Sequence, residues 1–206
     1  MRRSARALTG RAARAFAAAL AAVAMAHLPA AFAAPVAATG TVEFAFTPDD
    51  AVDARIVAVV NAAEREVLVL AYSFTHPKIA RALTAAYRRG VRVEVIADRG
   101  QTQELPQSVV PALARDGVPV WLDGSVAAAH NKVLIVDADG AHPTSITGSY
   151  NFTLAAQKKN AENIVILRDN PEAAAAYRAY FRRRQAHAMR WSGDGPPPEP
   201  KPRRAR

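Results

Sequence analysis

Apolar and polar positions along this chain switch repeatedly between a period of two and a period of about 3.6. Val42 to Phe46 alternates as a strand does. Val52, Ile56, Val59 and Val60 then recur at helical spacing. Thr47-Pro48-Asp49-Asp50 ahead of them predicts a helix start, with Thr47 as N-cap and Pro48 at the first helical position. Val67-Leu68-Val69-Leu70-Ala71-Tyr72 is apolar without interruption, as expected of a strand covered on both faces. Pro77 opens a second helix that presents Ile79, Leu83 and Tyr87 and stops at Gly90, and Val91 to Ala97 is a further strand. Asp98 to Gln107 reads as a polar loop, followed by a short helix to about Asp116-Gly117 and a strand from Val118 to Leu122. The apolar runs His130 to Asp137 and Ser145 to Asn151 flank a turn-rich stretch, Ala138 to Pro143, and predict a hairpin-like pair of strands. Asn163 to Leu167 is a strand, and Asn170-Pro171-Glu172 caps a last helix running to about Met189. Strands alternating with helices in this order predict an α/β fold with a mixed, partly parallel β-sheet flanked by helices.

The two ends have a different character. Residues 1–33 begin with arginines, continue through an apolar stretch from Ala15 to Ala26, and end in Ala31-Phe32-Ala33, the pattern of a cleavable export signal. His27 and Pro29 interrupt the run before it reaches the roughly 20 apolar residues a spanning helix needs. A periplasmic or secreted location, with no stable membrane association after cleavage, is therefore expected. Residues 34–41 form a flexible leader, 42–190 the folded domain, and 191–206 a Pro- and Arg-rich tail expected to be disordered.

Charge sharpens this division. The net charge of +9 is concentrated at the ends: residues 1–33 hold five arginines and no acid, and the chain from Asp194 onward holds four cations against two acids, leaving about +2 for the body. Binding of a polyanion by bulk charge is thus unsupported, and local placement of cations has to do it. The absence of cysteine excludes disulfides, thiolate catalysis and cysteine-zinc sites.

Candidate chemistry sits at the ends of the paired runs. Side chains two apart on a strand share a face, which aligns His130 with Lys132, and Ser149 with Asn151 if the chain stays extended through Tyr150. With the two strands adjacent, an imidazole, an ammonium, a hydroxyl and a carboxamide converge at one end of a sheet. That set suits phosphoryl transfer: a nitrogen nucleophile or general acid, with donors for the charge on phosphate oxygens.

The run resembles the HKD motif of the phospholipase D superfamily, H-x-K-x4-D followed by G-S-x-N, with His130, Lys132, Asp137, Gly148, Ser149 and Asn151 on the motif positions. It departs in one respect: ten residues separate Asp137 from Gly148, where the family pattern has about six. The extra residues fall in the turn. Ala71-Tyr72-Ser73-Phe74-Thr75, the R-G-V-x-V run at 89–93, Asp98, N-F-T-x-A-A from Asn151 and N-A-E-N from Asn160 are similar to the short bacterial endonucleases that carry a single HKD motif.

The resemblance implies a phosphodiesterase that needs no metal and no cofactor. It makes His130 a nucleophile forming a phosphohistidine, while a second histidine protonates the leaving oxygen. Lys132 would stabilise the phosphate charge, Ser149 and Asn151 would donate to its oxygens, and Glu162 would be the acid hydrogen-bonded to the catalytic histidine. Asp137 belongs to the motif set, although its opposite parity on the strand points to fixing local structure. Because the family uses two such units and this chain has one, a homodimer sharing one active site is implied. DNA, or RNA, is the expected substrate, with Arg99, Lys158 and Lys159 as candidate backbone contacts; a phospholipase or phosphatidyl transferase, and a binding module without catalysis, are the competing readings. His76 and Lys78 also read H-x-K, but Leu83 stands where the Asp would be and no G-S-x-N follows, so His76 is read as a cap or loop residue.

Overall fold

The computed structural model describes residues 35–199, and of these 37–199 belong to one compact unit. The expected export signal at 1–33 and the last residues of the tail, 200–206, lie outside the described residues. In chain order the elements are β1 (Thr41–Thr47), α1 (Val52–Asn61), β2 (Glu66–Ala71), α2 (Pro77–Arg88), β3 (Arg92–Asp98), α3 (Arg99–Glu104), α4 (Val110–Arg115), β4 (Val120–Asp123), β5 (Lys132–Val136), β6 (Thr144–Gly148), α5 (Leu154–Lys158), β7 (Glu162–Arg168), α6 (Pro171–His187) and β8 (Met189–Trp191).

All the strands join one mixed sheet in the order β1-β7-β6-β5-β2-β3-β4-β8. Helical crossovers make β2, β3 and β4 parallel, while every other pairing is antiparallel. The uninterrupted apolar run predicted a strand covered on both sides, and every residue of β2 is buried. Its side chains alternate between two cores. Val67, Val69 and Ala71 face the layer that includes Ile56, Leu83 and Leu113 from α1, α2 and α4. Leu68 and Leu70 face α6, where Ala174 and Phe181 are buried, and Ala188 just after it. Phe181 is fully enclosed, and burying a side chain of that size contributes about 2–3 kcal/mol toward holding α6 on the sheet.

Several local expectations change. Thr47 does not cap a helix: it is the last residue of β1, paired opposite Glu162, and α1 starts only at Val52. Asp50 folds back instead, its carboxylate accepting the N–H of Phe46. The stretch after Asp98 is not a loop throughout. The Asp98 carboxylate accepts the N–H of Gln101 and its carbonyl accepts Thr102 Oγ1, and this capping starts the short helix α3 where no apolar period announces one. Tyr87 is exposed although Ile79 and Leu83 on the same helix are buried. After α6 the chain adds β8 against β4, so the sheet extends to Trp191, one residue past the expected domain boundary.

The joint between β2 and β5 has a polar clip at one end. Asp137, with φ at +49°, directs its carboxylate to three successive backbone N–H groups, those of Glu64, Arg65 and Glu66, at 2.9, 2.8 and 2.8 Å. This occupies both oxygens and fixes the turn that feeds β2. Asp137→Ala leaves those donors without a partner at a largely buried position, and a loss of about 3 kcal/mol is expected. Urea unfolding should show the lowered midpoint with unchanged slope, while activity per folded molecule is retained.

Candidate active site

The carboxyl ends of the parallel strands form a rim, the usual place for a site in such a sheet. Lys132 opens β5 opposite Ala71, the last residue of β2. His130 lies two residues earlier, just outside the strand, with an exposed ring. The pairing expected from strand periodicity is nevertheless made by contact: Lys132 Nζ is 3.1 Å from His130 Nδ1 and 3.2 Å from Nε2. Near-equal distances place the ammonium off either ring lone pair, so it does not select a tautomer. The Tyr72 ring, continuing from β2, lies 4.3 Å from the His130 ring centroid at a 56° tilt, with Lys132 Nζ 5.0 Å from its own centroid. An aromatic edge thus backs the imidazole and leaves its outer side open.

Lys132 is largely buried. That burial holds its ammonium below the ordinary lysine range, and the charge of Glu162 acts in the opposite sense. Glu162 begins β7 and is fixed by neighbours: Ser149 Oγ donates to its Oε2 at 2.6 Å and Asn160 Nδ2 to its Oε1 at 2.9 Å. Thr47 completes the arrangement, accepting the Glu162 N–H and donating to the Asn160 carbonyl. The single proton of Ser149 is therefore committed to Glu162, while its oxygen accepts from the Asn163 N–H. Ser149 orients Glu162 here rather than presenting a free donor to phosphate, and the expected Glu162 contact to the histidine ring is replaced by this one.

Asn151 is held by the residues around it. Tyr150 and Phe152 are both anchored in the core, and the Phe152 carbonyl accepts the N–H groups of Thr75 and His76. Among the described residues the Asn151 Oδ1 atom is buried without a hydrogen-bond partner. Oxygen and nitrogen of an amide exchange on a half-turn of the side chain, so this position can offer N–H to an anion. Gly148 allows the close approach beneath: a Cβ there would lie 2.1 Å from the Asn163 carbonyl oxygen.

Other singled-out residues stand apart. Asp137, counted with the motif set, is at the opposite end of β5 and spends its carboxylate on backbone. His76 is fully buried, 3.5 Å from Asp53, and its burial lowers the ring's proton affinity; as a second H-x-K it has no access to substrate. Exposed His142, in the lengthened turn, pairs with Asp169 at 3.0 Å. A cavity of about 670 Å³ opens near Asp137, lined by Arg65, His142 and Arg168, far from His130. Among the described residues no group of three or more His, Asp or Glu side chains converges as metal ligands. Tyr72 and Asn160 carry no assigned role from the sequence, and Thr47 carries only that of a helix cap. Tyr72 and Asn160 lie in the quoted A-Y-S-F-T and N-A-E-N runs, whereas Thr47 gave no signal because it read as a helix cap.

The arrangement can perform phosphoryl transfer: an exposed imidazole for attack, an ammonium beside it for the developing charge, and an amide for a phosphate oxygen. Residues 56–185 match the protein family described as cardiolipin synthase, PLD-like domain. The chain is 33% identical over 144 residues to a phospholipase D of Rickettsia typhi, covering 70% of this chain and 68% of that one. It is 34% identical over 134 residues to a mitochondrial cardiolipin hydrolase of Xenopus laevis, covering 65% and 61%. Among solved structures, Nuc of Salmonella typhimurium, a phospholipase D family member, superposes with a TM-score of 0.69 at 31% identity, covering 73% of this chain and 97% of Nuc.

Glu162→Gln removes the charge that supports the Lys132 ammonium, so Lys132 should lose its proton at still lower pH. The alkaline limb of kcat/KM is expected to move toward neutrality in this variant. A uniform loss of rate with an unmoved limb would mean that Glu162 acts only as scaffold.

Proposed function

The chain belongs to the phospholipase D superfamily and is a phosphodiesterase; from that premise we propose that it is a non-specific endonuclease cleaving DNA, and RNA, at an active site shared by two copies. The observation that carries the chemistry is the contact of exposed His130 with buried Lys132 at 3.1 Å. In this reading His130 attacks phosphorus, the P–O bond to the leaving sugar oxygen breaks, and the His130 of the second copy supplies that oxygen's proton. Water then releases the phosphoryl group from the first His130, with its own proton passing to the second. Lys132 offsets the charge on the phosphate oxygens, and Asn151 donates to one of them. No step requires a metal ion. The nuclease substrate is supported by the similarity to short bacterial endonucleases, by the near-complete span of Nuc, and by exposed Lys158 and Lys159 beyond Asn151. Export of the mature chain after residue 33 remains part of the proposal.

Surface character supports the second copy. Val42, Phe44 and Phe46 point out of one side of β1 and are 48%, 59% and 54% exposed. They stand opposite Leu167, Val165 and Asn163 of β7, and Asn163 hydrogen-bonds Ser149 at the site. An aromatic strip bordering an incomplete site is suited to burial against the same strip of another copy. The alternative substrate, a lipid phosphodiester, is favoured by the names of the Rickettsia and Xenopus relatives.

The deciding experiment incubates the chain from Ala34 with plasmid DNA in excess EDTA, beside His130→Ala and beside phosphatidylcholine and cardiolipin vesicles. Cleavage of DNA by the parent alone is expected. Lipid hydrolysis without DNA cleavage would transfer the assignment to the alternative. Specific activity should also fall on dilution as light scattering shows the dimer separating, and a fully active monomer would contradict the shared site.

A further inference from the structure

The tail returns to the catalytic rim and meets an arginine there. Arg99 directly follows Asp98, whose Oδ2 accepts the N–H of Ala129 at 2.8 Å, and Ala129 directly precedes His130. Arg99 and His130 therefore each sit one residue from the two ends of a single hydrogen bond. The Arg99 side chain is 20% exposed, and one edge of its guanidinium is filled by two tail oxygens. Nε donates to the Pro198 carbonyl at 2.9 Å, and Nη2 donates to Glu199 Oε1 at 2.7 Å.

The two partners are unequally fixed. The guanidinium is set into the rim, whereas the Glu199 side chain is 85% exposed, and an exposed ion pair of this kind is weak and easily displaced. Two parallel N–H donors on one edge match two oxygens of a phosphate, the geometry in which arginine exceeds lysine as a recognition group. Glu199 and Pro198 supply two oxygens to that same edge.

We propose that Arg99 binds a backbone phosphate flanking the scissile diester, and that Glu199 with the Pro198 carbonyl occupies this position until substrate displaces them. This rests on the endonuclease reading and extends it: the tail is a tethered competitor for one phosphate subsite. It raises KM for a polymeric substrate and leaves the chemistry at His130 untouched.

Steady-state cleavage of a short DNA oligonucleotide by the mature chain tests this, with bis(p-nitrophenyl) phosphate as a diester too small to span the site and Arg99 together. Glu199→Gln should lower KM for the oligonucleotide about two- to fivefold, the range one exposed ion pair supports, with kcat and the small-diester rate unchanged. Arg99→Ala should raise KM about tenfold or more and make the salt dependence of binding shallower by about one unit. Arg99→Lys, retaining charge without the paired donors, should fall between and guards against a misfolded alanine variant. Adding Glu199→Gln to Arg99→Ala should change nothing further. An oligonucleotide-cleaving parent whose KM is indifferent to Glu199→Gln, or to both Arg99 variants, overturns the inference alone. A parent that neither binds nor cleaves the oligonucleotide overturns the endonuclease reading and this inference with it.

Discussion

The antiparallel joint between β5 and β2 is the constraint on which the site depends. It places Lys132 opposite Ala71, so that Tyr72 leaves β2 beside the His130 ring. A slip of one residue would send Lys132 to the other face of the sheet and reverse every side chain of β5. Two features oppose that slip. Val133 and Ile135 must face α6 while Leu134 and Val136 face the opposite core. At the far end, Asp137 locks onto three N–H groups of the turn entering β2. The motif's aspartate thus serves the motif's lysine from the far end of the strand, five residues away at roughly 3.3 Å each.

Electrostatics at the rim follow from the same placement. Burying the Lys132 ammonium costs solvation, which lowers its hold on the proton, and Glu162 returns part of that hold. Ser149 and Asn160 direct the Glu162 carboxylate, and Thr47 holds its backbone N–H. Ser149, which looks like a phosphate donor in the sequence, therefore joins Asn160 and Thr47 in a connected support for one charge. The exposed Phe44 and Phe46 border this network, since Phe46 stands opposite Asn163, whose N–H donates to Ser149.

Much of this was legible in the chain because two different periods carried it. The unbroken apolar run of β2 announced a doubly covered strand, and the H-x-K and S-x-N spacings announced which ends of the hairpin would meet. What misled was local chemistry with more than one use. Thr47-Pro48 resembles a helix cap, but pairing with β7 retains Thr47 in β1, where its hydroxyl serves Glu162. Asp98 looked like the start of a loop because the residues after it are polar; its cap to Gln101 forms a helix without an apolar face. Ser149 could be placed at the site from the motif, whereas the direction of its one proton depended on Glu162, thirteen residues away. Tyr72 was hidden by being the last apolar residue of a run whose other members are core.

His130 is the proposed nucleophile, and its covalent intermediate is the most direct test. Turnover of bis(p-nitrophenyl) phosphate would be quenched in alkali, where a phosphohistidine survives, and the digested protein examined by mass spectrometry. One p-nitrophenyl phosphoryl group is expected on the peptide containing His130, absent from His130→Ala. The same group on the peptide containing His142 or His187, or steady hydrolysis by His130→Ala, would contradict it.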